Sequence, residues 1–499
     1  MICEIIVDFW KNLTHPASID TKIKGCKLMS TKLLIIPIQK DPYKEKCNIV
    51  ILSLLYRRQL EITEILRACK NWNSCIYYAR DIIREKIEEK LSKLNPSLRL
   101  LEFNVGIPKT DVDLIVKKPF HECFPYLTLV TSDPEDRYKL LMVKSCTNIL
   151  TIHKGEAIRA LITSLIHYIK SETNYTMNPH DILLFVDGDL LFPIYPHRNK
   201  GICKECPLRN KEGNKKEIKE YLEKKLDLIE REYDYSYYKQ MLESICKIVE
   251  IMYRKKLDAI FALRIRHRGI RWEETISEMF EQWLISRIFG LKYPLPDGQA
   301  GLWGITFSAL RSIKLNAIAY EIELNLLIEL LKINGKIGFY PVIFPPAEKE
   351  RKFVESRYRE KIMYLCSYFE LSGRILEKEF ERFNKVLINI FNDKEKRRHL
   401  KALDLEFEKI KDEDLNSFLN KYKNHVLKPI IEKIKNLTEI YTVDNLPLFK
   451  FKGKVFLPNE LLTQPEKEHL KNMLDNIKSL LTEYLKLFQN KYHINPHIF

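Results

Sequence analysis

The sequence predicts an α/β protein, a mixed β-sheet with helices on both faces, followed by a part built of helices alone. Two observations carry this. Over the first 300 or so residues, short apolar runs alternate with segments of helical spacing, as in a sheet sandwiched between helices. After Pro345 and Pro346, apolar residues fall on one helical face, with Ile362, Leu365, Phe369, Leu376, Phe380, Phe383, Leu387 and Ile390 in register.

Taken in order, the candidate strands are Leu33 to Pro37, Asn48 to Leu55, Leu98 to Phe103, Leu140 to Lys144, Asp181 to Val186, Leu257 to Arg264 and Ile337 to Ile343. Helical spacing marks Glu61 to Asn71, Tyr77 to Leu94, Gly155 to Lys170 and Trp272 to Phe289 between them. A further helix starts at Tyr320 and Glu321 and ends at Gly335, and Leu470, Met473, Ile477, Leu480, Tyr484 and Phe488 repeat the helical stripe near the end. Between Phe192 and Tyr253 an insertion rich in Lys, Glu and Tyr opens as a loop and continues as a long helix, placed to flap over whatever binds after the preceding strand. The expected division is residues 1–30 as an N-terminal extension, 31–345 as the α/β domain with a helical insertion at about 193–253, and 346–499 as an all-α domain.

Composition narrows the class of partner. The chain has 499 residues, 45% of them hydrophobic, which suffices for real cores, and a formal charge of +16, which favours an acidic or phosphate-bearing partner. Eleven cysteines, an odd number without regular spacing, argue for reduced thiols and a cytoplasmic protein. Cys203 and Cys206 form a single C-x-x-C near His197, and without a second pair a plain reduced loop is favoured over a zinc site. The first residues carry Glu4 and Asp8 and lack the basic-then-apolar order of a signal peptide. Apolar runs fall short of the ~18 residues a membrane span needs, so any membrane contact is expected to be peripheral, at the inner face.

The chemistry gathers around one strand. Asp181 to Val186 is apolar after its first residue, as a strand buried on both faces should be, and runs into Asp187, Gly188 and Asp189. Ligands of open α/β sheets sit at the carboxyl ends of strands, and two carboxylates around a glycine there suit a hard divalent cation holding a diphosphate. Upstream, Lys154, Gly155 and Arg159 open a helix whose free N–H groups and basic side chains favour phosphate. Downstream, Asp297, Gly298, Gln299, Ala300 and Gly301 form a polar turn ahead of an apolar segment, and Asp297 is a candidate general base or acceptor-orienting carboxylate.

In order and character, the segments K-G-E-A-I-R from Lys154, D-G-D-L from Asp187, a strand ending at Arg264, D-G-Q-A-G-L-W-G from Asp297, Y-E-I-E-L-N-L-L from Tyr320 and the Y-P-V strand at Tyr340 resemble the GT-A glycosyltransferases. The nearest likeness is to the inverting dolichyl-phosphate β-glucosyltransferases and related polyprenyl-phosphate sugar synthases, over about Leu140 to Val342. The resemblance implies a Rossmann-like nucleotide-diphospho-sugar transferase fold and hexose transfer from a nucleotide-diphosphate sugar. The acceptor it implies is a polyprenyl or dolichyl phosphate at a membrane surface, or a glycan. On the same basis Asp187 and Asp189 would hold Mg²⁺ or Mn²⁺, Lys154 would lie near the donor, Arg264 would meet a phosphate, and Asp297 with Gln299 would sit beside the reacting centre. Neither the Asn-Glu pair after the first strand nor a D-D-x-S-x-D loop is present, and Asp111 and Asp113 stand as candidates for the nucleotide end.

Retaining GT-A glucosyl-3-phosphoglycerate synthases share a K-G, an apolar strand ending in an aspartate pair and a related helix, so inverting and retaining chemistry both stay open. Lys and Tyr interleaved from Lys215 to Lys256 raise a second class, a basic nucleic-acid-binding or scaffold protein without catalysis. Mixed charge signs and the lack of a reading motif argue against it, and no nucleic-acid partner is expected.

Overall fold

The structure, a computed structural model, describes residues 47–54, 72–108, 127–131, 148–150, 154–172, 175–191, 214–232, 237–265, 272–291, 294–317, 319–344, 353–394, 410–436 and 445–472. Among these, nine strands form one sheet: β1 (Cys47–Leu54), β2 (Leu98–Pro108), β3 (Leu127–Thr131), β4 (Asn148–Leu150), β5 (Ile182–Asp187), β6 (Ala259–Ile265), β7 (Leu302–Thr306), β8 (Lys336–Ile343) and β9 (Lys454–Phe456). Their spatial order is β4-β3-β2-β1-β5-β7-β6-β8-β9. Only β7 opposes its neighbours, pairing antiparallel with β5 and β6, while the other described pairs are parallel. The carboxyl ends of β1, β5 and β6 and the entry to β7 therefore share one edge.

The flanking helices are α1 (Trp72–Leu94), α2 (Lys154–Glu172), α3 (Gly188–Leu191), α4 (Lys215–Glu232), α5 (Tyr237–Lys255), α6 (Trp272–Ile288), α7 (Phe307–Ser312) and α8 (Ile322–Lys332). Side chains alternate across a strand, so β5 sends Leu183 and Phe185 to one core and Ile182, Leu184 and Val186 to the other. Helices α1, α4 and α5 close the second face; α2, α6 and α8 close the first. Helices α4 and α5 arise from the stretch expected to form a flap on one long helix. The structure shows two helices, and α5 buries Met241, Leu242, Ile245, Val249 and Met252 as part of a sheet face. The close approach is visible at Gly304 on β7, where a Cβ would come within 2.6 Å of Met252 Sδ.

Helices α9 (Glu355–Phe369), α10 (Gly373–Asn392), α11 (Asp412–Tyr422), a π-helical turn (Lys423–Leu427) and α12 (Lys428–Lys435) pack outside α6 and α8. Their apolar side chains join those of α2, α6 and α8 in one continuous core. The C-terminal part is not all-α. Strand β9 pairs with β8 and leads into the short helix α13 (Pro458–Leu461). Its three residues, opening with a lysine, are too short and polar to register as a strand by periodicity.

Strands β3 and β4 and the extension of β2 to Pro108 were not among the sequence expectations, and α2 begins one residue earlier than expected, at Lys154. The candidates Leu33 to Pro37, Glu61 to Asn71 and Leu140 to Lys144, and Cys203, Cys206 and His197, lie outside the described residues. At the amino edge, Asp181 is fully buried and accepts from Asn48 N (2.9 Å), Tyr175 Oη (2.7 Å) and Asn178 N (2.6 Å), fastening β5 to β1. Cys47, Cys246 and Cys366 are buried free thiols. Among the described residues no helix is long and apolar enough to cross a membrane.

Candidate functional site

Strand β5 is buried from Ile182 to Val186, and Asp187 is its first residue to reach partial exposure. The backbone N–H of Asp187 donates to the Gly301 carbonyl at 2.7 Å. Gly301 has φ +67°, and a Cβ there would lie 2.0 Å from Asp187 Oδ2, so both conformation and space demand glycine. The Gly301 N–H donates in turn to Glu323 Oε1 at 3.1 Å, from the second residue of α8. Lys154, the first residue of α2, closes a ring: its Nζ lies 3.0 Å from Asp187 Oδ2 and 3.6 Å from Glu323 Oε1. Four separate segments thus converge at the carboxyl edge, where two helix starts and a strand end meet.

A second group adjoins it. Arg264, near the end of β6, donates from Nε to Asp297 Oδ2 (2.6 Å) and from Nη2 to Glu278 Oε2 on α6 (2.8 Å). Burial opposes the guanidinium charge, but Asp297, Glu278 and the nearby Glu323 outweigh it and raise its pKa well above the usual range. Asp297 Oδ1 accepts the Gln299 N–H at 2.9 Å, so each carboxylate oxygen has a donor. Gln299 is itself buried, with Nε2 donating to Glu281 Oε2 at 2.6 Å and Oε1 accepting from Lys361 of α9. Lys361 also lies 3.5 Å from Glu281, whose carboxyl is pushed up to about 7 by burial, against the opposing pull of Lys361 and Gln299.

Of the residues expected from sequence, Lys154 and Asp187 come together, as do Arg264, Asp297 and Gln299. Gln299 faces inward and braces the turn that carries Asp297. Arg159, expected on the phosphate side, is 3% exposed and donates from Nη1 to the Leu315 carbonyl at 3.3 Å. It lies five residues, about one and a half helical turns, beyond Lys154, which carries it to a different face of the helix and under the edge. Asp189 is the second residue of α3, while its side chain, and Asp111 and Asp113 entirely, lie outside the described residues.

Among the described residues no three His, Cys, Asp or Glu side chains group to hold a metal ion. The donor chemistry still fits a hard divalent cation: Asp187 and Glu323 share one ammonium between carboxylate oxygens, and Mg²⁺ or Mn²⁺ commonly takes one or two carboxylates and completes its shell from water and phosphate.

Sequence reasoning assigned no role to Glu323, Glu278, Glu281 or Lys361. A signal existed for two of them, because α6 is buried along most of its length yet carries Glu273, Glu274, Glu278 and Glu281, and buried carboxylates need partners. Lys361 gave none, being brought in only by the docking of α9. No protein-family model and no curated protein sequence matches the chain.

Proposed function

We propose that this chain is a glycosyltransferase of the GT-A type, moving a hexose from a nucleotide-diphosphate sugar to an acceptor with help from Mg²⁺ or Mn²⁺. The observation that carries the reading is the ring of Asp187, Gly301, Glu323 and Lys154 at the carboxyl edge, beside the Arg264–Asp297 pair. The order of sequence motifs supports the same reading, since all but the Y-P-V strand contribute a residue to this one edge. When bound, the cation would offset charge developing on the departing nucleotide diphosphate.

Asp187 would hold the cation, with Glu323 standing beside it, and Lys154 at the start of α2 would face the diphosphate. Asp297, anchored by Arg264 and the Gln299 amide on both carboxylate oxygens, suits orientation of an acceptor better than removal of its proton. An acceptor already ionised near neutral pH, such as a polyprenyl phosphate at a membrane surface, needs no proton removed.

The test incubates the full chain with a panel of nucleotide sugars and Mn²⁺, offering polyprenyl phosphate or glycan acceptors, and follows nucleoside diphosphate release and the product anomer. Asp187→Asn should reduce turnover by at least about a hundredfold with the circular dichroism unchanged. Wild-type turnover in that variant would remove the assignment.

A further inference from the structure

The ring at the carboxyl edge contains a cation of its own. Lys154 Nζ lies between two carboxylates, 3.0 Å from Asp187 Oδ2 and 3.6 Å from Glu323 Oε1, with side-chain exposures of only 13%, 26% and 6% for Lys154, Asp187 and Glu323. An ammonium and a divalent cation cannot both sit against the same Asp187 oxygen without strong repulsion, which shielding from water enhances. Glu323 is held independently of Lys154, since its Oε1 also accepts the Gly301 N–H and it stands in the first turn of α8, where a negative charge is favoured. A second carboxylate therefore stays in place for the ammonium once the first is taken.

We propose that Lys154 is a resident counter-ion shared by Asp187 and Glu323, and that it yields Asp187 to an arriving divalent cation by moving onto Glu323. In its resting position it keeps two carboxylates from facing each other uncompensated at a partly buried edge. After the exchange its ammonium remains beside the cation site, where a diphosphate held by that cation would meet it. The idea rests on the transferase reading for the cation but concerns this chain's own side chains. Glu323 is a positioning residue here, acting through Lys154 and through Gly301.

The two partners should move cation affinity in opposite directions, which a purely structural role would not do. Lys154→Met removes the competitor from Asp187. Glu323→Gln keeps an oxygen for the Gly301 N–H but leaves Lys154 with Asp187 alone. The measurement is Mn²⁺ binding to the full chain without nucleotide, read from loss of the free-ion electron paramagnetic resonance signal, with thermal unfolding as a check on folding. Lys154→Met should bind about three- to tenfold more tightly than the wild type, and Glu323→Gln more weakly by a similar factor. Glu323→Asp should fall between Glu323→Gln and the wild type. Equal affinities across folded variants, or weakening by both main substitutions, would overturn the exchange while leaving a cation site intact. Absence of Mn²⁺ binding by the wild type would overturn the exchange together with the carboxylate-site reading beneath it.

Discussion

At Gly301 the chain has no latitude. Alanine there would have to hold φ at +67° and place its Cβ 2.0 Å from the Asp187 carboxylate, so either the loop or Asp187 must move. Gly301→Ala should cost about 2–4 kcal/mol by urea unfolding and lower cation affinity in parallel; a variant with wild-type stability would show the loop to be looser than described. Glu281 is a different kind of constraint. Its folded-state pKa, near 7, lies above the ordinary 4.5, so the folded protein holds a proton that the unfolded chain releases between those values. Its contribution is full below pH 4.5 and is lost as pH rises through 7. Glu281→Gln should therefore shrink the difference in unfolding free energy between acidic and mildly alkaline buffer by up to about 3 kcal/mol. Parallel pH profiles for the two proteins would refute it. Asp187, Lys154 and Asp297 were legible beforehand because each lies in a local pattern, a strand end, a helix start or a polar turn. Glu323 and Glu281 acquire their meaning only from what folds against them.

The elements differ in legibility for the same reason. Strand β5 stood out because a run buried on both faces has a composition of its own, and β8 and β6 likewise. The short strands β4 and β9, at the two margins of the sheet, are three residues each and leave no periodic trace. Helix α10 shows how a legible stripe still concealed its partner. Its Phe380 is 1% exposed and meets Phe280 of α6 edge-on at 5.1 Å and Tyr422 of α11 stacked at 5.6 Å. The stripe announced a buried face, but nothing in it indicated the helix that also carries Glu278 and Glu281. Phe380→Ala should cost about 3–5 kcal/mol in chemical denaturation. Because α6 supports Arg264 and Gln299, the variant should also lose cation affinity well below its unfolding temperature. An unaltered affinity would show that α6 keeps its place without the aromatic cluster.

On the scale of the whole molecule, the site depends on helices that follow β8 in sequence. Lys361 of α9 reaches Gln299 and Glu281, bracing the turn that presents Asp297, and the apolar side chains of α9 to α12 share one core with α6 and α8. A chain ending at residue 345 would expose Ile276, Phe280 and Leu284 of α6 to water and deprive Glu281 of its Lys361 partner. Exposed apolar surface of that extent promotes association. The fragment 1–345 should aggregate or show the loosened packing and dye binding of a partly folded state. Supplying residues 346–499 as a separate chain should restore solubility in part. A fragment that stays monomeric and melts cooperatively on its own would instead make the C-terminal helices an accessory layer, and the brace at Lys361 dispensable.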